Sequence, residues 1–280
     1  MLRRATKRSG HPIRLGTVAG IALAIGALDA EATERYFTYT YEPETMPQGA
    51  GELEQWVTLR AGRSTEAGAE RYTRWVIREE FEYGVTDSYT AAIYLNAAST
   101  SYRDPSSREG HNEFEFAGIS VENRVMVFNP TEHTVGLALY VEPSYSGEEA
   151  ELEEKVIFGQ RVGDWKWALN ATHATEWDLF DDESEGELEF TFGLTRHLGD
   201  HWSIGFEVRN HSDFPGYDEW EHSAFFAGPV ISHRRENWWA ALTILPQVYG
   251  KEAQDQDSDG SGTLVLDGHE RLEVRLILGI

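Results

Sequence analysis

The 280-residue chain sets 48 Asp and Glu against 24 Lys and Arg, a formal charge of −24, and contains no cysteine. That composition excludes a disulfide framework and a thiolate metal site, and without a basic footprint it argues against a nucleic-acid partner. The length suits one large all-β domain or two smaller ones.

The first element is a leader. Arg3, Arg4, Lys7, Arg8 and Arg14 precede an apolar run from Leu15 to Leu28, and small residues follow at Ala30 and Ala32. This order predicts a signal peptide over 1–32, cleaved after Ala32, with an apolar run too short to span a membrane. Without it the chain carries 19 basic and 46 acidic residues, a formal charge of −27. No later stretch has the 18 or more apolar residues of a spanning helix. A membrane barrel stays open, because its strands need only one apolar face each.

Residues 33–50 come next. In "ERYFTYTYEPE" Phe37, Tyr39 and Tyr41 share one face. Twelve strands are then predicted, each alternating apolar with polar over about ten residues, the length a tilted strand needs to cross a bilayer. The clearest apolar faces are Tyr89/Ala91/Ile93/Leu95, Val135/Leu137/Leu139/Val141, Leu188/Phe190/Phe192/Leu194 and Trp202/Ile204/Phe206/Val208. The others run at about 52–61, 72–85, 113–127, 151–160, 165–175, 223–232, 238–249 and the final stretch. Three fit less well. Glu79 shares the face of Trp75, Ile77 and Phe81; 113–127 changes parity between Phe116 and Ile119, which a bulge near Gly118 would repair; 223–232 is apolar on both faces.

The links alternate in length. Short, turn-like links at 84–88, 129–134, 160–164, 196–200 and 233–237 take turns with longer ones at 62–71, 97–112, 143–150, 176–186, 211–222 and 250–268. A barrel with tight turns at the periplasm and long loops outside does this; a soluble meander has no reason to. Just past the short links stand Tyr89, Trp165, Trp202 and Trp238, where an interfacial aromatic girdle belongs. The chain ends on "HERLEVRLILGI", with Leu272, Val274, Leu276, Leu278 and Ile280 on one face. An even barrel leaves 33–50 without a strand position, so that segment is expected inside the lumen or at the barrel seam.

With this terminal strand, and with units such as "FEYGVTDSYTAAIYLN" and "LTRHLGDHWSIGFEVRN", the chain resembles uncharacterised Gram-negative outer-membrane β-barrels of porin-like or transporter-like type. The resemblance covers 33–280 and implies an all-β, closed, antiparallel up-and-down transmembrane barrel. It also implies outer-membrane lipid as the surroundings, insertion by the barrel-assembly machinery, and a small solute as cargo. Such chains usually end on an aromatic residue, and Ile280 departs from that pattern.

Charges cost about 2–4 kcal/mol at mid-bilayer for Arg or Lys, so the inner face must hold them. The expected lumen set is Arg74, Arg78, Glu80, Glu82, Glu122, Arg124, Glu142, Glu187, Glu189, Glu207, Arg209, Arg271, Glu273 and Arg275. An acidic excess in a wet pore favours cations; a salt-bridged plug of side chains would conduct nothing. Asp255, Asp257 and Asp259 with Gly260 match half of a calcium loop, but Leu266 stands where a bidentate Glu should close it. A solvated acidic loop is the plainer reading. His201 and Ser203 have the spacing of a lipid-hydrolysing pair but lie beside a short turn and point inward, so no catalytic site and no cofactor are expected. The histidines are scattered, without metal-ligand spacing. Three functions follow: a passive channel or transporter for small solutes with a cation-preferring lumen, a non-conducting structural or surface-binding barrel, or a soluble periplasmic β-sandwich or lipocalin-like binder.

Overall fold

The computed structural model describes residues 35–63, 70–103, 107, 109–181, 183–217, 220–253, 260–263, 266 and 269–280. The leader at 1–32 and the half calcium loop with Asp255, Asp257 and Asp259 lie outside the described residues.

The strands are β1 Gly51–Ala61, β2 Glu70–Thr86, β3 Tyr89–Arg103, β4 Gly110–Phe128, β5 Gly136–Tyr145 and β6 Glu149–Val162. They continue as β7 Trp165–Asp178, β8 Ser184–Leu198, β9 Trp202–Pro215, β10 His222–Arg235 and β11 Trp238–Glu252. A two-residue strand, β12 (Gly262–Thr263), pairs with the end of β11, and β13 is Leu272–Gly279. Each long strand is antiparallel to its chain neighbour, and β13 pairs with both β11 and β1. Twelve strands thus form one closed ring. The seam is tight to the last residue, with Leu53 and Ile280 exchanging backbone hydrogen bonds of 3.0 Å each way. Closure matters because an open edge in hydrocarbon would strand N–H and C=O groups at several kcal/mol each.

The outside is apolar. Ile93, Leu95, Leu139, Phe190, Ile204, Phe206, Leu276 and Leu278 are all exposed, while their chain neighbours point inward. A stacked sandwich would bury these residues between two sheets, so the β-sandwich and lipocalin-like expectation fails here. Trp165, Trp202 and Trp238 open β7, β9 and β11 with their rings outward, and Tyr89 opens β3, giving a girdle beside the short turns. Glu79 stays on the outer face, in register with Gln55. The bulge expected in 113–127 is present: Asn96 pairs with Gly118 and Ala97 with Phe116, so one residue is skipped where Gly118 takes φ +98°. Gly163 and Gly199 also have positive φ, which the short turns before Trp165 and Trp202 require.

The long links are shorter than the sequence suggests. Strands β2, β3, β4 and β8 run for 17, 15, 19 and 15 residues, whereas about 9–11 suffice to cross a bilayer. Most of 97–112, 143–150, 176–186 and 211–222 is therefore strand, leaving connections of 104–109, 146–148, 179–183 and 216–221. Beyond the hydrocarbon the ladder bonds continue without any need for an apolar outer face. Period-2 hydropathy cannot mark that part of a strand.

Candidate functional site

The lumen is stoppered from the short-turn end by residues 35–50. They form no strand; 35–46 lie inside the ring, with Phe37, Tyr39, Tyr41 and Met46 at 0–4% exposure, while Pro47, Gln48 and Gly49 are exposed beside the β2–β3 turn. A stretch with no ladder partner must satisfy its amides elsewhere, and the barrel wall supplies acceptors. Glu207 on β9 accepts from the backbone N–H groups of Thr38 (3.0 Å), Tyr39 (3.0 Å) and Thr40 (2.8 Å), and from the Thr243 hydroxyl. Asn170 on β7 accepts from Tyr41 N–H at 2.6 Å and donates back to Tyr41 O at 2.9 Å. Further along, Met46 N–H reaches Thr90 Oγ1, and Gln48 N–H reaches the Asp87 carboxylate in the β2–β3 turn.

Glycines in the wall make the room. A Cβ at Gly193 would lie 2.4 Å from the Phe37 ring, one at Gly159 2.7 Å from Pro43, and one at Gly84 2.0 Å from Pro47 O. Apolar inward residues then grip the plug. Tyr41 packs with Trp56, Tyr140, Ile157, Trp239 and Ile277, Tyr39 with Phe226 and Leu245, and Phe37 with Val230. This explains β10, whose inner face carries Phe226 and Val230 because its partner there is the plug rather than water.

Above the plug the lumen becomes charged and open. A cavity of about 300 Å³ has Tyr39, Tyr41 and Trp56 among its lining, together with Glu151, Glu153, Glu187, Glu189, Glu270 and Glu273 and the cations Arg60, Arg78, Lys155, Arg209 and Arg275. Six carboxylates thus face five cations, close to balance. Arg209 joins Glu189 at 2.5 Å and Glu273 at 3.0 Å; Arg78 joins Glu142, and Lys155 joins Glu153. A second depression lies higher, at the long-loop rim, lined by Glu149, Glu176, Asp178, Glu183 and Glu185, with no cation among its described lining residues.

Of the residues expected to line the lumen, Glu80, Glu82, Glu122, Arg124, Glu142, Glu207, Arg209 and Glu273 are buried inside the ring. Arg74, Arg78, Glu187, Glu189 and Arg275 are half-buried. Arg271 immediately precedes β13 and its side chain is exposed at the rim, while its backbone still bonds Ala61 on one side and Gln247 on the other. Ser203 is buried and turned inward, and His201 stands exposed in the β8–β9 turn. Beyond Glu207, which the sequence placed in the lumen, the residues it missed are the plug's receptor Asn170, Glu42 within the plug, and three rim histidines, His211, His222 and His269. Burial inside the plug pushes the Glu42 carboxyl up to about 7, against the opposing pull of Lys166 and Arg35.

A closed ring of twelve antiparallel strands, apolar outside and charged within, is a transmembrane β-barrel of the Gram-negative outer-membrane class. The chain belongs to a family of unknown function (DUF6662), whose family model matches residues 29–156 and 162–280. No curated protein matches the sequence. Among solved structures, the COG4313 outer membrane channel from Pseudomonas putida F1 is similar with a TM-score of 0.56 at 9% identity, over 87% of this chain and 99% of that one. That likeness shows a shared fold. OmpT, an outer membrane protein of Vibrio cholerae, superposes more loosely, with a TM-score of 0.32 at 9% identity over 82% of this chain and 95% of that one.

Proposed function

We propose that the barrel is a passive pore for small cationic solutes, closed at its periplasmic end by residues 35–48. The observation that carries this reading is the division of the lumen. A wet, charged vestibule lies under an acidic rim, and it is separated from the other side by a plug held through hydrogen bonds and packing rather than by wall strands. A rim rich in carboxylates raises the local concentration of positive solutes. The fold shared with the Pseudomonas putida channel is consistent with conduction.

The test compares the full mature chain with a variant lacking residues 35–48 in planar bilayers. The full chain should give small or rare steps, and the deletion should raise conductance at least about tenfold, since a twelve-stranded ring is wider than the eight-stranded rings that side chains fill. Silence from both chains would favour the second reading, a non-conducting surface-binding barrel, which the well-bonded plug also suits.

A further inference from the structure

Histidines scattered along the sequence meet at one point of the rim. Asp213 lies near the end of β9, His222 is the first residue of β10, and the two stand directly opposite in register. Their side chains therefore share a face. His269, from the segment between β12 and β13, closes over them from the far side of β11. His222 Nδ1 is 3.0 Å from Asp213 Oδ2 and 3.0 Å from His269 Nε2, and His269 Nε2 is 3.8 Å from the same carboxylate oxygen.

Protons alone satisfy this arrangement poorly. A proton on His222 Nδ1 must be shared between Asp213 and His269. Placed instead on His269 Nε2, it leaves His222 and Asp213 opposing lone pairs across 3.0 Å. A cation at the centre satisfies all three lone pairs together. Tetrahedral zinc, with ligand bonds of about 2.0–2.2 Å, sets its ligand atoms roughly 3.3 Å apart, and the three separations bracket that spacing.

We infer that Asp213, His222 and His269 form a binding site for one divalent transition-metal ion, zinc being the type, at the extracellular mouth of the barrel. The surroundings fit. His211 Nε2 is 2.8 Å from Asp213 Oδ1, so it holds the carboxylate by its other oxygen, the outer-shell orientation that metal sites use. Glu221 Oε2 lies 3.7 Å from the far nitrogen of His222. Three protein ligands leave a fourth position open, and His211 and His269 both line the vestibule, so water or a solute reaches it. A bound ion would tie the segment before β13 to the β9–β10 hairpin. None of this needs the lumen to conduct.

The test uses the folded full chain in detergent, stripped with a chelator and titrated with zinc chloride by calorimetry near pH 7.5. One equivalent should bind in the micromolar range or tighter, and cobalt(II) should give the visible absorption of a tetrahedral site. His222→Ala and His269→Ala should each lose the tight equivalent. His211→Ala should weaken it about 10–100-fold, as loss of an outer-shell partner does. His233→Ala, at the opposite end of β10, should bind as the parent does. Each variant is scored only with its heat-dependent gel shift intact, and zinc protection of His222 and His269 from diethylpyrocarbonate in the unmutated chain gives a readout that needs no variant. Absence of a tight equivalent in the parent, or equal binding by parent, His222→Ala and His269→Ala, overturns the inference.

Discussion

The two ends of the lumen handle carboxylates in opposite ways. Near the short turns, acids are met mainly by neutral donors. Three plug amides bind Glu207, the Trp56 indole binds Glu54 and Glu80, the Trp239 indole binds Glu52, and the Tyr94 hydroxyl binds Glu122. Near the long loops, Arg209 pairs directly with Glu189 and Glu273, and the rim acids Glu149 and Glu185 stand exposed. The difference follows from hydration. A buried carboxylate must have its lone pairs filled by fixed donors, because leaving partners unmade costs about 1–3 kcal/mol each; a wet one can rely on solvent and mobile side chains. At the dry end charge builds structure. At the wet end it is free to meet solutes.

The comparison breaks most sharply at Glu207. Replacing it by Ala orphans three plug amides, at about 1–3 kcal/mol apiece, and the plug should leave the lumen to hydrate them. Trypsin cleavage after Arg35 should accelerate strongly and bilayer conductance should rise, with Glu207→Gln intermediate. Protection unchanged in Glu207→Ala would show that packing alone holds the plug.

A smaller effect is expected from pH. The folded-state pKa of Glu42 is raised from 4.5 to about 7 by burial, with Lys166, Arg35 and Glu44 also facing it. A carboxyl raised in this way contributes its stabilising share below 4.5, and that share is lost as pH climbs through 7. The plug should therefore hold best in mild acid and loosen toward alkaline pH. Glu42→Gln should flatten the dependence of tryptic protection across this window.

Smallest is the effect of the rim. Glu149, Glu176 and Glu185 changed together to Gln should leave conductance steps nearly intact while moving the reversal potential in a salt gradient toward non-selectivity. The shift should fade at high salt, where screening shortens the reach of surface charge to about 3 Å at 1 M. A reversal potential unmoved at low salt would assign selectivity to the vestibule instead.

How far the sequence could be read depended on what each residue faces. On β9, Trp202, Ile204, Phe206 and Val208 face hydrocarbon, so their alternation is unbroken and legible. The parity break before Ile119 was readable as a bulge for the same reason. On β10 the inner Phe226 and Val230 face the plug, a partner far away in sequence, and no local pattern names it. Arg271 obeys parity and keeps its ladder bonds to Ala61 and Gln247, yet its side chain is exposed, because parity does not say how deep in the lumen a residue lies. His211, His222 and His269 carry no spacing signal at all, since they come from two paired strands and a segment beyond β11.

By itself the sequence determined strand number and the inside and outside of most strands, because lipid imposes one rule on every outward residue. Only the tertiary structure decided that the segment before β1 fills the lumen, that Glu52, Glu54, Glu80, Glu82 and Glu122 gather buried near the short turns, and that three distant side chains share a point. Those outcomes depend on ring closure and register, which bring together groups that no short-range pattern relates.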